Sequence, residues 1–304
     1  MWDINSYECL KVIGGPAARP RESPSQDSLP VHPSYVPSPK SLNGTPAGDA
    51  IFHVPSDYHS ASILCLQFDS EIMVTGSSDS DCIVWDIKTF EPRFRLKRHT
   101  MGVLDICFDE RHIISCSKDQ TICVWSRQTG QLLKCLQGHR GPVNAVQLRG
   151  NLLVSASGDG TAKLWNLSSG MCVKEFVSED RGLAAVEFSA DASAVLAGGN
   201  DTIVYKFSVA TAELTHTYTG HAGLVRSLFL DAPNNRIISG SYDQSIRVYS
   251  YSEGRLMAQY PNWTTSWILA AKSDYRRIVA TSQDGRALLL DFGFGVDGAS
   301  LLKG

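Results

Sequence analysis

The chain has 304 residues, 43% of them hydrophobic, and 28 basic against 31 acidic side chains give it a net charge of −3. Such a length and apolar content suffice for a packed core, and the mildly acidic balance argues against generic nucleic-acid binding. No apolar run reaches the roughly 18 residues that a membrane-spanning helix needs, and no basic region followed by an apolar stretch marks a secretory signal.

In chain order, Met1-Trp2-Asp3-Ile4 looks like the tail of an inner strand, and Glu8 to Ile13 like the outer strand that follows it. The inner strands expected before them are missing. Residues 1–14 are therefore expected to be the remnant of a truncated unit, its outer strand positioned to complete the last set of strands in the chain. Residues 15–58 hold nine of the thirteen prolines together with many Ser and Gly residues, a composition expected to form a disordered insert. Ser23-Pro24, Ser38-Pro39 and Thr45-Pro46 fit proline-directed kinases, although such dipeptides abound in any Pro/Ser-rich tract. Asn43, Asn166 and Asn262 begin glycosylation sequons, read as chance matches in a chain placed in the cytoplasm, the nucleus or both.

From residue 59 three residue types return every 40 positions: His59, His99 and His139; Asp79, Asp119 and Asp159; Trp85, Trp125 and Trp165. A spacing so strict is the mark of a repeat array rather than of one chemical site. Within each copy, β-branched and alternating runs such as Ile63 to Phe68, Ile72 to Gly76 and Gln131 to Leu136 read as strands bounded by Gly, Ser and Asp. The unit is a four-stranded antiparallel sheet. Downstream the markers wear: Asp201, Asp243 and Asp284 are followed six residues later by Phe207, Tyr249 and Leu290, and His221 keeps its place. Glu179 and Trp263 stand where the other two copies would carry His. Six repeats are visible over 59–292, leaving 293–304 as a tail.

This length and marker set resemble the WD40 family of β-propellers, an all-β fold, here with six visible repeats. The parent is expected to have seven blades, with closure as six the alternative. The resemblance implies a buried hydrogen-bonded chain in each blade, from the His through a hydroxyl to the Trp indole and from the His to the turn Asp. Its members are His59, Thr75, Asp79 and Trp85, then His99, Ser115, Asp119 and Trp125, then His139, Ser155, Asp159 and Trp165. Recurrence in successive copies makes this architecture, not a Ser-His-Asp catalytic centre. Ser239 continues the hydroxyl position, but Ala197 and Ala280 interrupt it, so blades four and six are expected to be softer.

The eight cysteines include no Cys-x-x-Cys pair, which suits reduced, mostly buried thiols, and neither metal nor cofactor is expected. A propeller hosts many activities, so function must come from its rim and axial faces. Before each turn Asp stand Ser78, Lys118, Gly158, Asn200, Tyr242 and Gln283; near the starts of the first strands stand Ser62, Leu104, Asn144, Arg181, Gly182, Ala184 and Arg226. No cluster of His, Cys or carboxylate lies among them, so no enzymatic activity is expected. Cations with hydroxyl and amide donors suit a compact anion such as a phosphate group on a peptide, while ordinary solvated charges are the plainer explanation.

The runs Gly76-Ser77-Ser78-Asp79, Cys116-Ser117-Lys118-Asp119, Ser155 to Asp159, Arg181-Gly182-Leu183-Ala184 and Leu224-Val225-Arg226 follow in one order. Together they resemble successive blades of the F-box/WD-repeat proteins of the β-TrCP and Slimb group, most of all the fungal ones. The resemblance implies a substrate receptor of SCF ubiquitin ligases that binds a doubly phosphorylated Asp-Ser-Gly-x-x-Ser motif, with phosphorylated proteins as partners. It places Arg181 and Arg226 on phosphate or carboxylate oxygens, Lys118 as added charge, and Ser62 and Ser78 as hydroxyl donors. Leu104 and Ala184 would pack on the peptide, and Asn144, Gly158 and Gly182 complete the set. Gly160 stands where the family has Arg, and Ser266 falls near another family Arg. The family's first-blade Tyr and Arg have no counterpart and no F-box is read, so weak degron binding and no adaptor recruitment are expected of this chain. The runner-up function is a generic protein-interaction scaffold indifferent to phosphate.

Overall fold

The computed structural model describes residues 11–13, 51–53, 55–178, 182–262, 264–274 and 276–292, and every regular element among them is a β-strand. The first two strands, β1 (Lys11–Ile13) and β2 (Ile51–His53), pair in parallel. All later strands fall into six antiparallel sheets, five of four strands and a last one of three. The first blade holds β3 (Ile63–Phe68), β4 (Ile72–Ser77), β5 (Asp81–Asp86) and β6 (Pro92–Lys97). The second holds β7 (Val103–Phe108), β8 (His112–Ser117), β9 (Ile122–Ser126) and β10 (Leu132–Leu136), and the third β11 (Val143–Arg149), β12 (Leu152–Ser157), β13 (Thr161–Asn166) and β14 (Met171–Val177). The fourth comprises β15 (Leu183–Phe188), β16 (Ala194–Gly199), β17 (Val204–Ser208) and β18 (Leu214–Tyr218). The fifth comprises β19 (Val225–Asp231), β20 (Arg236–Ser241), β21 (Ile246–Ser250) and β22 (Leu256–Tyr260), and the sixth β23 (Ile268–Ser273), β24 (Arg277–Ser282) and β25 (Ala287–Asp291). The molecule is a six-bladed β-propeller.

In the alternative of closure as six blades, residues 8–13 complete the last sheet. Their described part, β1, pairs instead with β2, the segment that leads into the first blade. β2 and residues 55–58 lie within the stretch 15–58, where Asp57 accepts two hydrogen bonds from the Arg95 guanidinium at 2.7 Å each.

Alternation along each strand sends one set of side chains into the space between blades, and the core forms there. Each of five apolar clusters is built by two adjacent blades; one joins Ile72, Val74 and Leu96 of the first to Val103, Ile106 and Trp125 of the second. All six residues of β15 are buried between neighbours. β3 lacks such cover among the described residues, so Ile63, Leu64 and Leu66 are exposed and Phe68 is 65% exposed. Neighbouring blades are also latched through the first strands. Gln67 accepts a hydrogen bond from the Phe108 amide at 3.1 Å, Asp105 from Val146 at 2.9 Å, Gln147 from Phe188, and Ser227 from Ala271 at 2.9 Å.

The network implied by the repeat markers is present in full in blades one to three. In the third, the indole N–H of Trp165 donates to Ser155 Oγ at 2.8 Å, Ser155 meets His139 Nε2 at 2.7 Å, and His139 Nδ1 meets Asp159 Oδ2 at 2.8 Å. His59, Thr75, Asp79 and Trp85 repeat this in the first blade, and His99, Ser115, Asp119 and Trp125 in the second. In the fifth, His221 joins Asp243 and Ser239 at 2.8 and 2.7 Å, while the Tyr249 hydroxyl donates to the Thr219 carbonyl. Blade four loses acceptor and donor together: Ala197 removes the hydroxyl and Phe207 the indole N–H. Tyr205 then donates to Asp201 at 2.7 Å and stacks on Phe207. In blade six Leu290 likewise stands where Trp would need a partner, and Thr265 donates to Asp284 at 2.7 Å. The missing hydroxyls at Ala197 and Ala280 thus strand no indole N–H, which removes the physical ground for expecting softness from the gap alone. Glu179 and Trp263 lie outside the described residues.

These buried groups make stability depend on pH. Burial pulls His99 and His139 below the ordinary value of 6.5, against the opposing pull of Asp119 and Asp159. Burial alone would raise Asp159, but hydrogen bonds from the Arg140 amide, Thr161 and His139 outweigh it and leave its carboxyl at about 2. A histidine with a lowered folded pKa contributes stability above its unfolded value near 6.5 and loses it as pH falls towards the folded value, because the unfolded chain takes up protons that the fold refuses. The depressed aspartates extend the same loss below pH 4. The unfolding free energy from urea titrations should therefore change little near pH 7.5 and fall as the pH drops through 6.5 to 5.5, by up to about 1.4 kcal/mol per pH unit for each histidine. A flat or rising profile would contradict the burial assigned to these rings.

Candidate functional site

Two backbone regularities build one axial face. In every blade the amide before the turn Asp donates to the carbonyl just ahead of the first strand. The pairs are Ser78 to Ser62 (2.9 Å), Lys118 to Gly102 (3.0 Å), Gly158 to Pro142 (2.8 Å), Asn200 to Gly182 (2.9 Å), Tyr242 to Leu224 (2.9 Å) and Gln283 to Trp267 (3.0 Å). The turn closes on a residue of positive φ, namely Ser80, Gln120, Gly160, Thr202, Gln244 or Gly285, the geometry of a tight hairpin loop. Each first strand also slips register between its first and third residues, as at Val143/Ala145 and Val225/Ser227. A bulge leaves one residue without a cross-strand partner and re-aims its side chain. The bulged residues are Leu64, Leu104, Asn144, Ala184, Arg226 and Leu269. Four of the ten predicted positions, Leu104, Asn144, Ala184 and Arg226, are these, and five more, Ser62, Ser78, Lys118, Gly158 and Gly182, belong to the carbonyl–amide pairs. Arg181 lies outside the described residues.

Asn144 and Arg226 converge on the start of the fourth blade from either side. Asn144 Nδ2 donates to the Leu183 carbonyl at 2.7 Å, and Arg226 Nη1 to the Ala184 carbonyl at 3.2 Å. Arg226 is half-buried. Lys118 is exposed. Neither cation makes an ion pair within 4.0 Å among the described residues. Ser62 and Ser78 are exposed, and no described residue engages either hydroxyl. Leu104 is half-buried and Ala184 buried. Deeper in, burial raises the carboxyls of Asp105 and Glu187 while Lys272 pulls both the other way.

Glycines let the backbones of blades three and four meet. A Cβ on Gly182 would stand 3.1 Å from both Cα and O of Gly158 and 3.4 Å from Asn200 Nδ2. Gly182→Val should therefore push the two strand starts apart and cost about 1–3 kcal/mol, read as a lower urea midpoint. An unchanged midpoint would mean the contact yields freely. Gly160 has φ +86°, and Ser266 Oγ meets Gln283 at 3.2 Å. One feature escaped sequence reasoning: Trp267 stacks on Tyr242 with ring centres 4.3 Å apart and planes 8° from parallel. Its signal was its register, directly ahead of a first strand like Ser62 and Gly182.

The WD domain, G-beta repeat, matches residues 55–86, 90–126, 130–166 and 212–250. The chain is a WD40-repeat protein with a β-propeller fold. The matched WD40 segments run through the third strands of blades one, two, three and five, and leave out the first three strands of blade four and all of blade six, where the hydroxyl and the Trp are both replaced. Among solved structures, the WD40 β-propeller domain of Doa1 superposes with a TM-score of 0.69 at 24% identity, covering 76% of this chain and 79% of that one. The computationally designed Ika8 protein gives 0.68 at 26%, covering 78% and 73%. The periodic tryptophan protein 2 homolog of Schizosaccharomyces pombe is 30% identical over 94 residues, 30% of this chain. The mouse F-box/WD repeat-containing protein 10 is 50% identical over 44 residues, 14% of this chain. The matches span only 11% and 4% of those two relatives. WD40 propellers are in general scaffolds for protein–protein interaction.

Proposed function

We propose that the axial face binds phosphorylated peptide segments and that the chain is the substrate-recognition propeller of an SCF-type ubiquitin ligase receptor, acting in the cytoplasm or nucleus on phosphorylated proteins. The observation that carries this reading is Arg226. Its guanidinium has five N–H donors in a rigid fork. One is tethered to the Ala184 carbonyl, and no carboxylate within 4.0 Å among the described residues competes for the others. A half-buried guanidinium with no ion-pair partner among the described residues favours an incoming dianion, and phosphoserine brings close to two negative charges and three acceptor oxygens. The exposed hydroxyls of Ser62 and Ser78 and the exposed Lys118 add donors on the same face. The exposed Gly158 leaves its position on that face without a side chain. The F-box/WD likeness of a 44-residue segment points the same way.

The second reading is a scaffold that takes protein partners without regard to phosphate; the stacked Tyr242 and Trp267 favour it, since an aromatic platform grips apolar side chains. Fluorescence anisotropy with paired peptides carrying Asp-Ser-Gly-x-x-Ser, one with both serines phosphorylated, separates the two. The proposal requires at least tenfold tighter binding of the phosphorylated peptide; equal affinity leaves the scaffold.

A further inference from the structure

We propose that Cys123 and Cys135 form an oxidisable dithiol, a covalent modification site in the second blade that is converted to a disulfide by small peroxides. The two cysteines are direct cross-strand partners on β9 and β10. Directly opposed residues of an antiparallel pair lie on the same face with Cα atoms about 4.5–5.5 Å apart, inside the window of about 4.4–6.8 Å that a disulfide requires. The same position in the next blade shows that side chains from these two strands touch there. It is occupied by Lys163 and Glu175, also register partners, whose ammonium and carboxylate form an ion pair. Where blade three closes third strand on fourth with charge, blade two places two thiols.

The two sulfurs differ in access. Cys123 is fully buried against the core shared by blades one and two, with His99 Nδ1 4.0 Å from its sulfur. Burial, reinforced by Cys135, pushes its thiol well above the ordinary range. Cys135 is half-buried on the outer strand of the blade, where solvent reaches it. Attack begins at Cys135. Its thiolate displaces hydroxide from hydrogen peroxide, breaking the O–O bond and giving a sulfenic acid; the hydroxide leaves as water with the thiol proton. Cys123 sulfur then attacks the sulfenic sulfur, the S–O bond breaks, and the second oxygen departs as water with the Cys123 proton. Two thiols and one peroxide give one disulfide and two waters, the two electrons passing from sulfur to peroxide. Breathing of the outer strand supplies the access, since edge strands open before core strands.

The exposed Cys172, which has no cysteine opposite it, serves as an internal comparison. Trypsin cleaves after Arg127 and Lys134, so the two cysteines fall on separate peptides. The full chain is treated with a small excess of hydrogen peroxide under native conditions, alkylated, digested and analysed by mass spectrometry. The expected product is a peptide containing Cys123 linked to one containing Cys135, removed by dithiothreitol and absent in Cys135→Ser. In that variant, Cys123 should be alkylated in full once unfolded. Circular dichroism of Cys135→Ser, and of Cys123→Ser as a second variant, confirms that each folds. The proposal is overturned if Cys172 is oxidised while Cys123 and Cys135 remain unlinked, or if the link forms only in urea.

Discussion

Ser155→Ala is expected to lower the stability of the propeller by about 2–5 kcal/mol, far more than a hydroxyl usually contributes. Ser155 is 0% exposed, and its oxygen stands between two ring nitrogens, Trp165 Nε1 at 2.8 Å and His139 Nε2 at 2.7 Å. His139 Nδ1 faces the Asp159 carboxylate, so Nδ1 carries the proton, Nε2 accepts from the serine hydroxyl, and the serine oxygen accepts from the indole. Alanine leaves both nitrogens buried and unpaired, at about 1–3 kcal/mol each. Urea unfolding followed by tryptophan fluorescence and by circular dichroism reads the loss. A change below about 0.5 kcal/mol would show that water replaces the hydroxyl and that the network is not closed.

Blade four supplies the control. There Ala197 and Phe207 occur together, and no indole N–H is stranded. Ser155→Ala combined with Trp165→Phe reproduces that pairing in blade three, and the double variant should be more stable than the sum of the single losses predicts, by about 1 kcal/mol or more. Strict additivity would mean that serine and indole do not act as a pair.

The contrast between these blades also explains what could be read before the fold was known. His, Asp and Trp recur at fixed spacing because the bonds they make close within one sheet, and even blade five, where Tyr249 replaces the Trp, keeps His221, Ser239 and Asp243 joined. The latches between blades left no such trace. Gln67, Asp105, Gln147 and Ser227 each accept from a backbone amide 41 to 44 residues away, and any residue type offers that amide. Side chains of different chemistry therefore serve at different blades, and no motif results. The axial positions were legible through their register beside the turn Asp and the first strand. What was not legible was the bulge that turns Leu104, Asn144, Ala184 and Arg226 out of the ladder, because a register slip has no residue signature here. Trp267 was missed for a related reason: its neighbour Tyr242 comes from the preceding blade. The pairing of β1 with β2 depends on backbone bonds across nearly 40 residues of chain, which composition cannot specify.

Removing the Arg226 guanidinium should weaken binding of the doubly phosphorylated peptide by about 10- to 150-fold, the equivalent of a charge-assisted contact of about 1.5–3 kcal/mol. Lys118→Ala should cost about fivefold or less, the range of exposed ion pairs at about 0–1 kcal/mol. The difference follows from burial: water and salt screen the exposed ammonium, while the half-buried Arg226 keeps more of its attraction. Raising the salt to 0.5 M should therefore abolish the Lys118 effect and preserve much of that of Arg226. Arg226→Lys should fall between, because an ammonium keeps the charge but not the planar fork that meets two phosphate oxygens. The unphosphorylated peptide separates recognition from damage. If Arg226→Ala only loosened the start of blade four by losing the bond to Ala184, both peptides would weaken alike. If phosphate is the ligand, the phosphorylated peptide alone should lose affinity and approach the unphosphorylated one. Equal losses for the two peptides, or no loss for either, would leave Arg226 a structural latch and remove the ground for a phosphate site on this face.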